Sequence, residues 1–141
     1  MLYAQAFKKY YWVAVLITLL AYGVWRVLTI TPFEQTVIHK LAINPLATLY
    51  VTEASAGATT SFSYRYFVCD ARQSEAACVK SIKEKQRPFL VTDDPDATIE
   101  KQQRCLKITI RGRVYDYHAP AAYSTQSGTL SVPLCLASAP Y

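Results

Sequence analysis

At 141 residues and a formal charge of +5, the chain has room for one folded domain but not comfortably two once an apolar anchor is set aside, leaving about 110 residues to fold. The charge excludes nucleic acid rather than suggesting it. Lys8, Lys9 and Arg26 supply three of the positive charges, and from Pro32 onward twelve basic residues face ten acidic ones, with no aromatic residues interleaved among basic ones as a groove-binding face would need.

Tyr10 to Ile30 reads YYWVAVLITLLAYGVWRVLTI, close to the ~20 residues a helix needs to cross a bilayer core, with Arg26 its only charge. Tyr10, Tyr11 and Trp12 open the stretch, and Tyr22 and Trp25 sit near its end, as two interfacial aromatic belts would. Pro32 stops the helix. Lys8 and Lys9 weakly favour an inside N-terminus, and four cysteines in a small domain without a CxxC pair read as disulfides, which persist in an oxidising compartment. The rival is a signal peptide cut after Ala21-Tyr22-Gly23, opposed by the apolar residues Val24, Trp25, Val27 and Leu28 beyond that point. Arg26 reads either as a side chain snorkelling to the headgroups or as one half of an intramembrane ion pair with a partner helix.

Beyond the anchor, Phe33, Val37, Ile38 and Leu41 fall at helical spacing, so a short amphipathic segment is expected before Asn44-Pro45. Leu49–Thr52 reads as a strand and Ser55–Ala58 as a loop. The clearest strand follows, with Phe62, Tyr64, Tyr66 and Val68 on a buried face and Ser61, Ser63 and Arg65 on a wet one. Ser74 is a candidate N-cap for a helix running to about Lys85, and Phe89–Thr92 is a short strand. Asp93-Asp94-Pro95-Asp96 reads as a helix start, its carboxylates favoured by the helix dipole.

Cys105–His118 reads as a hairpin turning at Arg111-Gly112, in a register that sets Lys107 beside Asp116. After a polar loop over Ser124–Gly128, Leu130, Val132, Leu134 and Leu136 form one last strand, kept at a sheet edge by Pro133. The expected fold class is α+β and β-rich: a single N-terminal transmembrane helix, then a small antiparallel β-sheet or sandwich with one or two short helices. In order, these are a cytoplasmic N-terminus over 1–9, an anchor over 10–31, a juxtamembrane linker over 32–47 and an extracytoplasmic disulfide-stabilised domain over 48–141.

Four cysteines allow three pairings. The preferred one joins Cys69 to Cys78, tying a strand end to the next helix, and Cys105 to Cys135, tying the hairpin to the C-terminal strand. Catalytic motifs are few: His39 and His118 are far apart, and no GxSxG, HExxH, Walker or GxGxxG pattern occurs. Asp116 and His118 share a strand face, as a base and its orienting carboxylate would, but the Lys107 pairing is the simpler role for Asp116. Asp93, Asp94, Asp96 and Glu100 lack the spacing and glycine of a calcium loop.

Lys80, Lys83, Lys85 and Arg87 form the densest basic stretch, a solvated helix face or a patch for an acidic partner or headgroup. Tyr123 and Tyr141, in loop and tail, are expected to be exposed and suited to protein contacts. Arg26, Lys80, Lys83, Arg87, Tyr123 and Tyr141 are therefore the candidate partner-binding residues, with no metal, cofactor, nucleic acid or small-molecule substrate expected.

These features point to a non-enzymatic subunit or accessory of a multiprotein envelope assembly of the secretion, conjugation or respiratory type. It would sit in a bacterial inner membrane and contact the lipid bilayer and other membrane or periplasmic proteins. The alternatives are an immunity or exclusion protein that binds an incoming toxin or blocks uptake machinery at the outer face of that membrane, and an envelope enzyme.

Overall fold

The computed structural model describes residues 2–29, 34–55 and 61–139, in two units divided between Pro32 and Phe33. The first unit is one helix, α1, Leu2–Thr29. Arg26 lies in its last turn, where a cation complements the helix dipole. Thr18 disposes of its hydroxyl internally, donating to the Ala14 carbonyl at 2.8 Å. Among the described residues no helix is long and apolar enough to cross a membrane.

The second unit is α+β, mostly strands in antiparallel sheets. Strands β1 (Glu34–Asn44), β2 (Ala47–Ser55), β3 (Ser63–Asp70), β4 (Leu90–Thr92) and β7 (Val114–Tyr117) form a five-stranded antiparallel sheet in the order β1-β2-β3-β4-β7. Strands β10 (Leu134–Ser138), β6 (Leu106–Ile110) and β5 (Thr98–Lys101) form a second sheet in which β10 runs parallel to β6 and β5 antiparallel to it. Strands β8 (Ala121–Thr125) and β9 (Gly128–Val132) make a hairpin, and helix α2 spans Glu75–Glu84.

Alternation along β2 and β3 divides the interior in two. Leu49, Val51, Tyr66 and Val68 project into the main core, where Leu90, Leu106, Ile108, Ile110, Ala121 and Val132 meet them. Tyr50, Phe67 and Cys69 project the other way, against Cys78 and Ile82 of α2. Helix, five-stranded sheet, and the second sheet with the hairpin therefore stack as layers. The far half of β3 is buried on both faces, where one wet face was expected.

Several elements depart from the sequence reading. The segment expected as a helical linker is β1. A register shift between Val37 and His39 explains the misreading: Val37 packs with Tyr50 and Phe67, whereas Leu41 and Ile43, of the same odd parity, pack in the main core. One extra residue in a strand exchanges its faces, and the resulting spacing of four imitates a helix.

Arg111-Gly112 does not turn a hairpin either. Strand β6 joins the second sheet and β7 joins β4, so Lys107 pairs with Glu100 at 3.6 Å and Asp116 with His118 at 3.1 Å. The connection is held by side chains from elsewhere: the Arg111 amide donates to Asp94 Oδ2 at 2.7 Å and the Arg113 amide to Asp93 Oδ1 at 2.6 Å. Gly112 is required here, because a Cβ would overlap Asp93 Oδ1 and approach the Asp94 amide nitrogen at 3.0 Å. Residues 93–96 accordingly start no helix. The carboxylates of Asp93 and Asp94 are used as backbone acceptors, and β5 follows.

The single C-terminal strand expected over Leu130–Leu136 is broken at Pro133 into β9 and β10. Proline has no amide to give to a ladder, and its carbonyl instead accepts from Leu106 N at 2.9 Å. The β8–β9 turn is Gln126-Ser127, closed by Gly128 at φ +136°, a conformation that favours glycine. Ser74 caps α2 as expected, accepting from the Ala77 amide at 3.3 Å. The loop expected over Ser55–Ala58 lies outside the described residues apart from Ser55.

Both disulfides join the expected cysteines. Cys69–Cys78 closes nine residues with Cα atoms 6.1 Å apart, and Cys105–Cys135 closes thirty with Cα atoms 5.8 Å apart.

Candidate functional site

Four devices build one cleft beside α2. The Ser74 cap fixes where the helix starts, and the Cys69–Cys78 bridge pins its first turn to the end of β3. After the helix, Gln86 turns back to the sheet, its Nε2 donating to the Val68 carbonyl at 2.6 Å. Opposite, the His118 amide donates to the Phe89 carbonyl at 2.7 Å and sets the course of the chain into β8. Between these walls lies an open cleft of about 640 Å³, within the range of ~300–1,000 Å³ typical of ligand sites.

Val68, Phe89 and Tyr123 form its buried floor, Pro88 and Pro120 flank it, and Lys85, Arg87 and His118 stand at its exposed rim. Gln73, Ser81 and Ser124 add polar groups, and no carboxylate lines it. Lys85 and Arg87 belong to no ion pair among the described residues, while His118 Nε2 meets Asp116 Oδ1. Such a surface can hold an anion with an apolar body. Among the described residues His118 makes no hydrogen bond to a serine or cysteine, and no three His, Cys, Asp or Glu side chains gather as metal ligands.

The candidate partner-binding residues are dispersed. Arg87 and Tyr123 share the cleft, but Tyr123 is buried rather than exposed, with 5% of its surface accessible. Burial, and next the negative charge of Asp70, raises its pKa above the ordinary phenol value. Lys80 and Lys83 line a separate shallow groove along α2 with Ala76, Val79 and two glutamates. One of those, Glu75, is bound by Lys40 at 2.9 Å, and the other, Glu84, lies 4.0 Å from Lys80. Arg26 lies in the separate helical unit, and Tyr141 lies outside the described residues.

Sequence reasoning missed Lys85, His118 and the floor residues as one site. The cleft is contributed by β3, the α2–β4 loop and the β7–β8 connection, and no local pattern announces their meeting. Compared with known proteins, the chain matches no protein family model, no characterised protein and no solved structure.

Proposed function

We propose that the chain is a non-enzymatic, membrane-anchored subunit or accessory of a multiprotein envelope complex, acting through protein–protein contacts made by its β domain. Helix α1 is the anchor in a bacterial inner membrane, and the disulfide-bonded domain faces the periplasm.

The observation that carries this reading is the surface of α1. Trp12, Val13, Leu16, Ile17, Leu19, Leu20, Val24 and Trp25 are all exposed, and at 100° per residue these positions encircle the helix. A helix apolar on every side requires an apolar surrounding, either lipid or other helices. Two disulfides in the second unit support an oxidising compartment. Lys85 and Arg87 at the cleft rim, without an ion pair among the described residues, support contact with a partner.

Gentle detergent extraction from the native membrane, followed by mass spectrometry of the intact chain and its companions, tests this. Stoichiometric recovery with other membrane proteins, with the N-terminal helix retained, is the expected result. Recovery of the protein alone would overturn the assembly reading and favour one that binds an incoming toxin.

A further inference from the structure

The floor of the cleft holds a donor without an acceptor. Tyr123 is nineteen-twentieths buried, yet its hydroxyl takes part in no hydrogen bond with the described residues. The hydroxyl is not sealed from solvent, so it stands open on the cleft floor to whatever enters. At neutral pH the phenol is protonated and can donate.

The cations at the rim favour an incoming negative charge, and the Asp70 carboxylate that acts on the Tyr123 phenol opposes it. Lys85 and Arg87 have no ionic partner among the described residues, and His118 adds a third nitrogen base at the rim. Two carboxylates stand nearby without lining the cleft: Asp116 meets His118 at 3.1 Å, and Asp70 accepts the Arg72 amide at 2.9 Å and keeps its charge. Pro88, Phe89 and Pro120 supply apolar surface between the donors.

We propose that this cleft binds an acidic segment of a partner protein. Its carboxylates meet Lys85, Arg87 and the Tyr123 hydroxyl, and an apolar side chain lies on Pro88 and Phe89. The inference deepens the assembly reading and rests on it for the choice of a protein ligand; the donor set itself does not depend on that reading.

The test uses the full-length protein in neutral detergent micelles, with empty micelles as control. The probe is a short fluorescent peptide of Glu and Ser with one central Leu, and binding is read by polarisation. Saturable binding is expected, with no comparable binding of the same peptide carrying Lys for Glu. Tyr123→Phe keeps the ring in the floor and removes only the donor, and it should weaken binding about tenfold. Lys85→Glu combined with Arg87→Glu, both exposed and remote from the core, should weaken it at least as much and flatten its salt dependence.

Equal binding of the Lys peptide, binding unaffected by either variant, or absence of binding would overturn the proposal. Displacement by free glutamate as effective as by the peptide would assign the cleft to a small carboxylate and overturn it likewise. Should Tyr123→Phe fail to fold, the rim variant decides alone. If the peptide binds while the native protein is extracted from its membrane without companions, the cleft stands and the assembly reading falls.

Discussion

The two faces of the five-stranded sheet are covered by different means. On one, β6, β8, β9 and β10 bring apolar side chains from distant parts of the chain, and a disulfide spanning thirty residues ties two of those strands, β6 and β10, together. On the other, one ten-residue helix follows directly from β3 and is held by a cap, a nine-residue bridge and Gln86. The distant cover depends on apolar area. The local cover depends on a few placed contacts, which leaves the outer side of α2 and the mouth of the cleft open to a partner.

If that contrast is right, damage should scale differently on the two faces. Ile108→Ala, at a position 1% exposed in the distant cover, should cost about 3–5 kcal/mol in chemical unfolding. A similar loss from truncation anywhere on α2 would erase the contrast. Replacing Cys105 and Cys135 by Ala should cost about 3.5 kcal/mol, against about 2.5 for Cys69 and Cys78, because the longer loop restrains the unfolded chain more. Acidic-peptide binding should suffer in the opposite order, since only Cys69–Cys78 borders the cleft.

Gly112→Ala, at the connection between the two sheets, should cost about 2 kcal/mol by displacing Asp93 from the Arg113 amide. Restoring stability with Asp93→Ser in the same chain would confirm that the overlap is the cause. Ser74→Ala should cost only about 1 kcal/mol, the usual value of a helix cap, read as a lowered unfolding midpoint.

The last effect is silent at neutral pH. Burial, then Asp94, then Tyr64, pushes the Tyr66 phenol up to about 12. Between pH 10 and 12 the unfolded chain loses this proton while the folded protein keeps it, so stability is intact below pH 10 and falls as pH rises through that window. Tyr64, raised by burial and then by Glu53, acts in the same direction. Unfolding followed against pH should show this alkaline loss, and Tyr66→Phe should make it shallower.

What the sequence made legible was local. The Ser74 cap, the alternation through Tyr64, Tyr66 and Val68, and the disulfide partners all depend on nearby residues or on small-number arithmetic. The hairpin at Gly112 was misread because a period-two pattern says which residues face inward but not which sheet receives them. The deciding atoms, the carboxylates of Asp93 and Asp94, stand 20 and 17 residues from the amides they hold. Tyr123 was placed at the surface by its polar neighbours Ser124 and Gln126, whereas alternation within β8 buries Ala121 and Tyr123 together. The cleft had no local signature at all.

The parallel pairing of β10 with β6 bears on the order in which the molecule can be assembled as it emerges. Strands β1, β2, β3 and β4 pair in sequence and can zip up while the chain is still being made. Strand β10 occupies Leu134–Ser138 and follows β7, β8 and β9, so β6 must wait for those three strands before its second neighbour arrives. Thiol trapping during synthesis should therefore find Cys69 joined to Cys78 well before Cys105 finds Cys135. In that interval Cys105 is a reactive thiol immediately before a strand with an open side, and the newborn protein is most exposed to the wrong partner.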